Sequence, residues 1–457
     1  MRSTELERLV PDLRASLRGT VIAPGDPGYD RARTPFYGGF DRRPAAIARV
    51  ADADDVARVI ATARETGLEL AVRSGGHSPA GHGVTDGGIV LDLGDLETLE
   101  IDPAERVAWA GAGLTARAYT EAAAELGLAT GFGDTGSVGI GGITLAGGIG
   151  FLVRKHGPTI DSLLAADVVT ADGELVRADA ESHPDLFWAI RGGGGNLGVV
   201  TRFRYRLHEV GTILGGMLML PASPAAIEAF VAEAEAAPDE LSTIANVMPA
   251  PPMPFVPAKH HGKPVILGLL AYAGDVDGER AVAPFRELAE PLADTVRPIR
   301  YPEIFLPDDE EYHPIAAGRT MFSDGIDRAA AETIVDALRA STAVMRVTQI
   351  RALGGAMARV PADATAFAHR GRRLMVNVAA LAESVEDLAE HESWVEQTAS
   401  AIHRGEPGAY TGFMGPGSDG DLRLAYPGST WDRLAEIKAR YDPSNLFRLN
   451  HNVPPAA

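Results

Sequence analysis

Arg73-Ser74-Gly75-Gly76-His77-Ser78-Pro79-Ala80-Gly81 follows directly on Leu68 to Arg73, a run whose alternation reads as a β-strand. Consecutive glycines let the backbone approach a ligand closely, and their N–H groups can form a nest for a pyrophosphate. His77 sits inside that cradle. Taken alone, Gly-Gly-His reads more readily as a tight turn with a surface histidine. A second stretch changes the balance: Gly136-Ser137-Val138-Gly139-Ile140-Gly141-Gly142-Ile143-Thr144-Leu145-Ala146-Gly147-Gly148-Ile149-Gly150. Glycine at this density argues against a stable helix or strand and for close backbone contact. Val138, Ile140, Ile143, Leu145 and Ile149 are too apolar for a solvated linker. A dinucleotide or a flavin is the natural partner.

A third segment, Leu186 to Gly198, contains a formal G-x-G-x-x-G at Gly193, Gly195 and Gly198. The Rossmann fingerprint needs a strand before it and a helix after it, whereas Asp185 to Ile190 reads as helix and Val199 to Tyr205 as strand. The order is reversed, which argues against a nicotinamide dehydrogenase. No P-loop signature occurs either.

The chain has 457 residues of ordinary globular composition, 46% hydrophobic and 23% charged, and a formal charge of -20. That charge argues against a nucleic-acid partner. With no cysteine, disulfides, thiolate metal sites and cysteine nucleophiles are excluded. His82, His260 and His261 lack the spaced partners of a metal site, so no metal is expected. Only four of the 42 basic residues are lysine, which reads as a GC-rich coding composition. The first nineteen residues mix charges with scattered leucines, unlike a secretory signal, so a cytoplasmic protein is expected. The longest uncharged stretch, Thr135 to Val153, approaches the length of a membrane span but holds seven glycines, so no membrane segment is expected.

From Arg42 to His208, short apolar runs alternate with glycine turns and one or two helices. Asp52 to Thr66 reads as a helix capped at Asp54 or Asp55 and ended by Gly67; Thr115 to Leu126 reads as another, and Ala171-Asp172-Gly173 as a hairpin turn. Beyond His208 longer helices alternate with strands, which predicts an antiparallel sheet covered by helices on one face, the other face free to line a cleft. Strands are expected at Ile213 to Leu220, Val265 to Ala271, Val344 to Leu353 and Leu374 to Ala379, and a Pro-rich loop at Met248 to Pro257. The fold class is α+β, organised as a domain over 1–208, a second over 209–409 and a returning segment over 410–457.

In this order, these segments resemble the FAD-linked oxidases of the berberine bridge enzyme-like group, with the vanillyl-alcohol oxidase and p-cresol methylhydroxylase type of FAD-binding fold, a domain of two α+β subdomains. The likeness spans most of the chain. It includes Arg43-Pro44 with Ile47, Asp161, Asp185-Leu186-Phe187-Trp188-Ala189 with Arg191-Gly192, Thr365-Ala366-Phe367 with His369-Arg370, and Tyr441-Asp442-Pro443 with Asn445-Leu446-Phe447-Arg448.

The resemblance implies FAD joined to His77 through its 8α-methyl carbon. It implies cofactor contacts from Arg73, Ser74, Gly75, Gly76, Ser78, Gly81, His82, Thr135, Ser137, Val138, Gly139, Gly141, Gly142, Gly147, Gly150, Val199 and Asn450. Many relatives carry a second tether, a cysteine where this chain has Thr135, so a single covalent bond is expected. A small side chain at Val138 resembles the choice of oxidases that let oxygen reach the flavin. Tyr410-Thr411-Gly412-Phe413 resembles the segment that supplies the family's base, with Gly412 replacing an asparagine; Tyr410 is the preferred base, ahead of Tyr301, Tyr312 and nearby acids. A phenol of ordinary pKa ~10 would need cationic or hydrogen-bonding neighbours to lower it. Gln349 and Arg351, alternating on one strand, are candidate substrate contacts. The expected activity is oxidation of a small-molecule alcohol or amine, with O2 reduced to hydrogen peroxide. A flavin dehydrogenase using another acceptor and a flavin-binding protein without turnover remain open alternatives.

Overall fold

The computed structural model describes residues 3–254, 256–275, 277–309 and 311–457. The first sheet has four strands, β1 (Thr20–Ile22), β2 (Ala46–Arg49), β3 (Leu70–Arg73) and β4 (Ile89–Asp92), in the order β1-β2-β4-β3. β4 runs parallel to both β2 and β3. A parallel connection requires a crossover, and the helix Ala53–Thr66 supplies it between β2 and β3, burying Val56, Val59, Ile60 and Ala63 at helical spacing. Its cap is Asp52, not Asp54 or Asp55: the Asp52 carboxylate accepts from the Asp55 amide at 2.9 Å. Asp55 is instead fully buried and accepts from the amides of Arg18, Gly19 and Ala51. An N-terminal helix, Ser3–Ser16, which the scattered leucines concealed, buries Leu9 and Leu13 in the same core.

The second sheet holds β5 (Leu99–Asp102), β6 (Val107–Gly111), β8 (Leu163–Val169), β9 (Leu175–Asp179) and β10 (Val199–Arg206), all antiparallel, in the order β5-β6-β10-β8-β9; β7 (Leu128–Ala129) pairs separately with β11 (His208–Glu209). The β8–β9 hairpin turns at Ala171-Asp172-Gly173 as the sequence implies. Between β7 and β8 the glycine-rich segment departs from expectation, because Ile140–Ala146 is helical. Packing outweighs a propensity cost of about 1 kcal/mol per interior glycine. Ile140 is fully buried, and the Thr144 hydroxyl meets the buried Tyr205 hydroxyl at 2.8 Å.

From Thr212 onward an antiparallel sheet of eight strands is built from β12 (Thr212–Pro221), β13 (Leu241–Pro249), β14 (Pro264–Tyr272), β15 (Ala293–Asp294), β16 (Arg297–Arg300), β17 (Ile315–Ser323), β18 (Met345–Ala352) and β19 (Leu374–Ala382). Its order is β15-β12-β14-β13-β18-β19-β17, with β16 also beside β12. The sequence did not announce β13 or β17: polar Asn246 interrupts one apolar alternation, and Gly318-Arg319 the other. Met248 and Pro249, expected in a loop, end β13. Helices Pro224–Ala236, Gly278–Glu287, Arg328–Ala340 and Leu388–Ile402 bury Phe230, Phe285, Ile334 and Ile402 against Leu218, Val247, Ile266 and Val376 of one sheet face. The opposite face is left to meet the first two sheets. Residues 409–453 return to the first core, where Met414, Leu434, Phe447 and Val453 are buried. Among the described residues no helix is long and apolar enough to cross a membrane.

Candidate active site

A cavity of about 530 Å³ opens between the glycine segments, the free face of the eight-stranded sheet and the returning C-terminal chain. Its floor is set by two loops that touch. The turn after β3 carries Ser74 and Gly75, and the Ser74 hydroxyl donates to the Ala112 carbonyl at 2.6 Å. Against it lies Gly139, where the glycine helix begins, so close that a Cβ on Gly139 would fall 2.2 Å from the Gly75 amide nitrogen. Only a residue without a side chain fits either position.

His77 projects beyond this crossing and stacks on Phe36, with centroids 4.1 Å apart at 18°. Burial pushes the His77 imidazole down to about 4, against the opposing pull of Asp308 and of a hydrogen bond to the Ser137 backbone. Its ring is therefore neutral at pH 7, the state in which an imidazole nitrogen keeps a lone pair for bonding. Arg73 lines the cavity but spends its charge on buried Asp92, 2.7 Å away. Ser74, Gly75, Gly76, Ser78 and His82 line it as well, as do Thr135, Val138, Gly139, Gly141, Gly142, Val199 and Asn450.

Four expected contacts lie outside the lining. Gly81 packs under Phe40, whose ring would be 2.7 Å from an added Cβ. Ser137 offers its backbone to His77, and Gly150 sits against the backbone of 132–133. Gly147, at φ 129°, ends the glycine helix behind Tyr410 and Phe367.

Tyr410 lines the cavity while remaining 4% exposed, and its hydroxyl oxygen accepts from the Gly148 amide at 3.0 Å. Burial raises its pKa; the Gly148 and Ile149 amides and the charge of Arg351 pull the other way. The lowering neighbours expected from the sequence are thus present, but desolvation outweighs them. Of the alternatives, Tyr312 lines the cavity, whereas Tyr301 is fully buried beside Phe305 and away from it.

Gln349 and Arg351 do not line the cavity either. Arg351 reaches across to the glycine region: its guanidinium pairs with Asp134 at 2.6 Å, donates to the Ile149 carbonyl at 3.4 Å, and stands 5.2 Å over the Phe413 ring. Gln349 accepts from Arg351 and donates to Asn246. Both brace the wall rather than meet its contents. Sequence reasoning missed Phe36, Tyr37 and Asp134, which line the cavity; the aromatic pair before Gly38-Gly39 was the available signal for the first two.

The matched segments elsewhere tie to one another. Arg370, 1% exposed, pairs with Asp161 at 2.7 Å and donates to Thr365. The Trp188 indole donates to the Asp363 carbonyl, and the Phe367 amide to the Arg191 carbonyl. The Tyr441 hydroxyl donates to Asp185 at 3.0 Å. These residues hold the C-terminal return and the loop between β18 and β19 of the eight-stranded sheet onto the first core. Of the acceptors around the cavity, the Asn450 amide oxygen is buried without a partner, so a ligand donor there would be matched.

A glycine crossing, a neutral histidine above it and an unpartnered acceptor in one cavity fit the dinucleotide of a flavoenzyme. Residues 44–179 match the family model described as FAD binding domain, and residues 419–454 the one described as berberine and berberine like. The chain is 30% identical to (R)-6-hydroxynicotine oxidase of Paenarthrobacter nicotinovorans, over 96% of this chain and 97% of that protein. The solved structure of 6-hydroxy-D-nicotine oxidase from Arthrobacter nicotinovorans matches with a TM-score of 0.85 at 27% identity, covering 96% and 99% of the two chains. A glucooligosaccharide oxidase from Acremonium strictum, described with a 6-S-cysteinyl, 8α-N1-histidyl FAD, shares the fold with a TM-score of 0.83 at 24% identity, over 98% and 99%. The chain belongs to the berberine bridge enzyme-like family of FAD-linked oxidoreductases. It is an FAD-dependent enzyme.

Proposed function

We propose that this enzyme is an oxidase of a CH–OH group, with FAD held through a single covalent bond from His77 and O2 as the electron acceptor, giving hydrogen peroxide. The carrying observation is that His77 and Tyr410 open on the same cavity, the first neutral and stacked on Phe36, the second held by the Gly148 amide. When bound, FAD supplies a two-electron acceptor for a hydride and, once reduced, a donor to O2.

The chain's own groups do the rest. Backbone amides of the Gly75 and Gly139 loops would bind the dinucleotide, and Asn450 would offer its unpartnered acceptor. Thr135 stands where a thioether would form in doubly tethered relatives, so His77 alone anchors the cofactor. Val138, small and on the cavity wall, leaves room for O2. Tyr410 takes the hydroxyl proton; burial disfavours its phenolate, and the Gly148 and Ile149 amides and Arg351 offset part of that cost.

Acid precipitation tests the tether: yellow colour stays with the wild-type pellet and leaves with His77→Ala, whereas free flavin from wild type overturns it. Stopped-flow mixing of reduced enzyme with air-saturated buffer tests the acceptor. Slow reoxidation would move the electrons to another acceptor.

A further inference from the structure

The free face of the eight-stranded sheet is divided. Along one half, Leu381 of β19 pairs with Ala316 of β17 on one side and with Met345 of β18 on the other; Ala379 lies two residues back on the same face. All four line the cavity, beside Phe413 and Tyr312. The other half carries a polar row in register, Asn246, Gln349 and Asn377, which could have met a hydroxylated ligand.

Two of the three are turned on each other, and the third, Asn377, has its side-chain oxygen buried without a partner. The Gln349 amide donates to Asn246 at 2.9 Å, Asn246 donates to the Leu267 carbonyl at 3.2 Å, and the Gln349 oxygen takes two donors from Arg351. None of the three lines the cavity, the buried Asn377 oxygen included. Charge is likewise spent: Asp134 is the one carboxylate on the cavity wall among the described residues, and Arg351 neutralises it at 2.6 Å.

A sugar presents a hydroxyl on nearly every carbon, and each left unpaired on an apolar wall weakens binding roughly tenfold or more. An ammonium ion would lack a carboxylate free to pair with it. A flat, neutral ring system loses nothing on this wall and gains apolar contact from Leu381, Met345 and Ala379. We infer that the substrate, given the oxidase reading above, is a neutral aromatic or polycyclic alcohol, and that carbohydrates and cationic amines are excluded by the apolar half of this sheet.

The test uses the holoenzyme without oxygen and follows perturbation or bleaching of the flavin spectrum with three probes: 1-naphthylmethanol, its cationic isostere 1-naphthylmethylamine at pH 7, and cellobiose. Half-saturation is expected at least tenfold lower for the alcohol than for the amine, with no response to cellobiose. Equal or tighter response to either of the other two, or no response to any, overturns the proposal. Leu381→Asp, with its colour retained, should reverse the order in favour of the amine. Leu381→Ser, expected to raise the alcohol's half-saturation at least fivefold, serves if the aspartate variant fails to hold flavin; an unchanged preference in the variant read overturns the proposal. Slow reoxidation would sink the oxidase reading, and acid-labile flavin only the tether, while this binding order stands or falls separately.

Discussion

The backbones of Gly75 and Gly139 cross so closely that a Cβ on Gly75 would lie 2.3 Å from the Gly139 amide nitrogen, and one on Gly139 2.2 Å from the Gly75 amide nitrogen. Two loops far apart in sequence are thereby locked into one floor under His77. Gly139 has φ -67°, which any residue adopts, so the requirement there is space and not backbone freedom.

Gly139→Ala should therefore destabilise the protein by about 2 kcal/mol or more, through overpacking against backbone that has nowhere to go. Denaturant unfolding gives the loss, and the ratio of flavin to protein after purification should fall with it. Unchanged stability with full flavin content would show that the loops separate freely.

Arg351 and Asp134 form a largely buried pair, with side chains 4% and 20% exposed. Removing one partner strands the other's charge, at a cost of about 3–5 kcal/mol. Arg351→Met is expected to lose stability on that scale. Its second effect is on pH: Arg351 lowers the Tyr410 pKa, so the variant's kcat/KM should begin to rise only at higher pH than in the wild type. A lower melting temperature with an unmoved pH profile would make the residue a brace without influence on Tyr410.

Tyr410→Phe removes the proposed proton acceptor and little volume. The rate of flavin reduction should fall by roughly 10²–10⁴-fold while the half-saturating substrate concentration changes little. Rapid-mixing spectrophotometry separates the two. A fall smaller than tenfold would pass the role to Tyr312 or to solvent.

His369 is 5% exposed, stacks on Phe322 and lies 3.1 Å from the Ala425 carbonyl. Burial, reinforced by Arg372, drives its pKa from 6.5 down to about 4. The unfolded chain thus binds a proton between pH 6.5 and 4 that the folded chain refuses. Stability should be fully present above pH 6.5 and fall on acidification, this one site contributing up to about 1.4 kcal/mol per pH unit. His82, His156 and His208 are lowered by burial in the same direction. Unfolding at pH 7 and pH 5 should show a smaller acid loss for His369→Gln than for wild type, and equal losses would assign the slope to other groups.

Much of the fold was legible because its signals are local. Asp52 to Gly67 carries its own apolar spacing and stop, and the helix appears there within a residue, although its cap is Asp52 and not the Asp54 or Asp55 expected. The helix Ala116–Ala124 likewise falls within the expected Thr115 to Leu126, with the Thr115 side chain as its cap. β13 and β17 were missed because Asn246 and Gly318-Arg319 break the alternation, and only pairing with neighbours on both sides makes those stretches strands. The glycine helix was misread for the complementary reason: propensity counts the cost of glycine, while Ile140 finds its compensation in the core of the first domain and Thr144 in Tyr205 of distant β10.

What this sequence determined by itself is chemical identity: two glycine cradles, a histidine placed within one, no thiol to form a second tether, and a tyrosine where the chain returns. Those depend on residue types and neighbours along the chain. Tertiary structure decided which of them meet. Gly75 was set against Gly139, Arg351 was brought from 217 positions away to Asp134, and Gln349 was turned onto Asn246. Such pairings are selected by packing and by the need to satisfy buried charge, which no local pattern encodes.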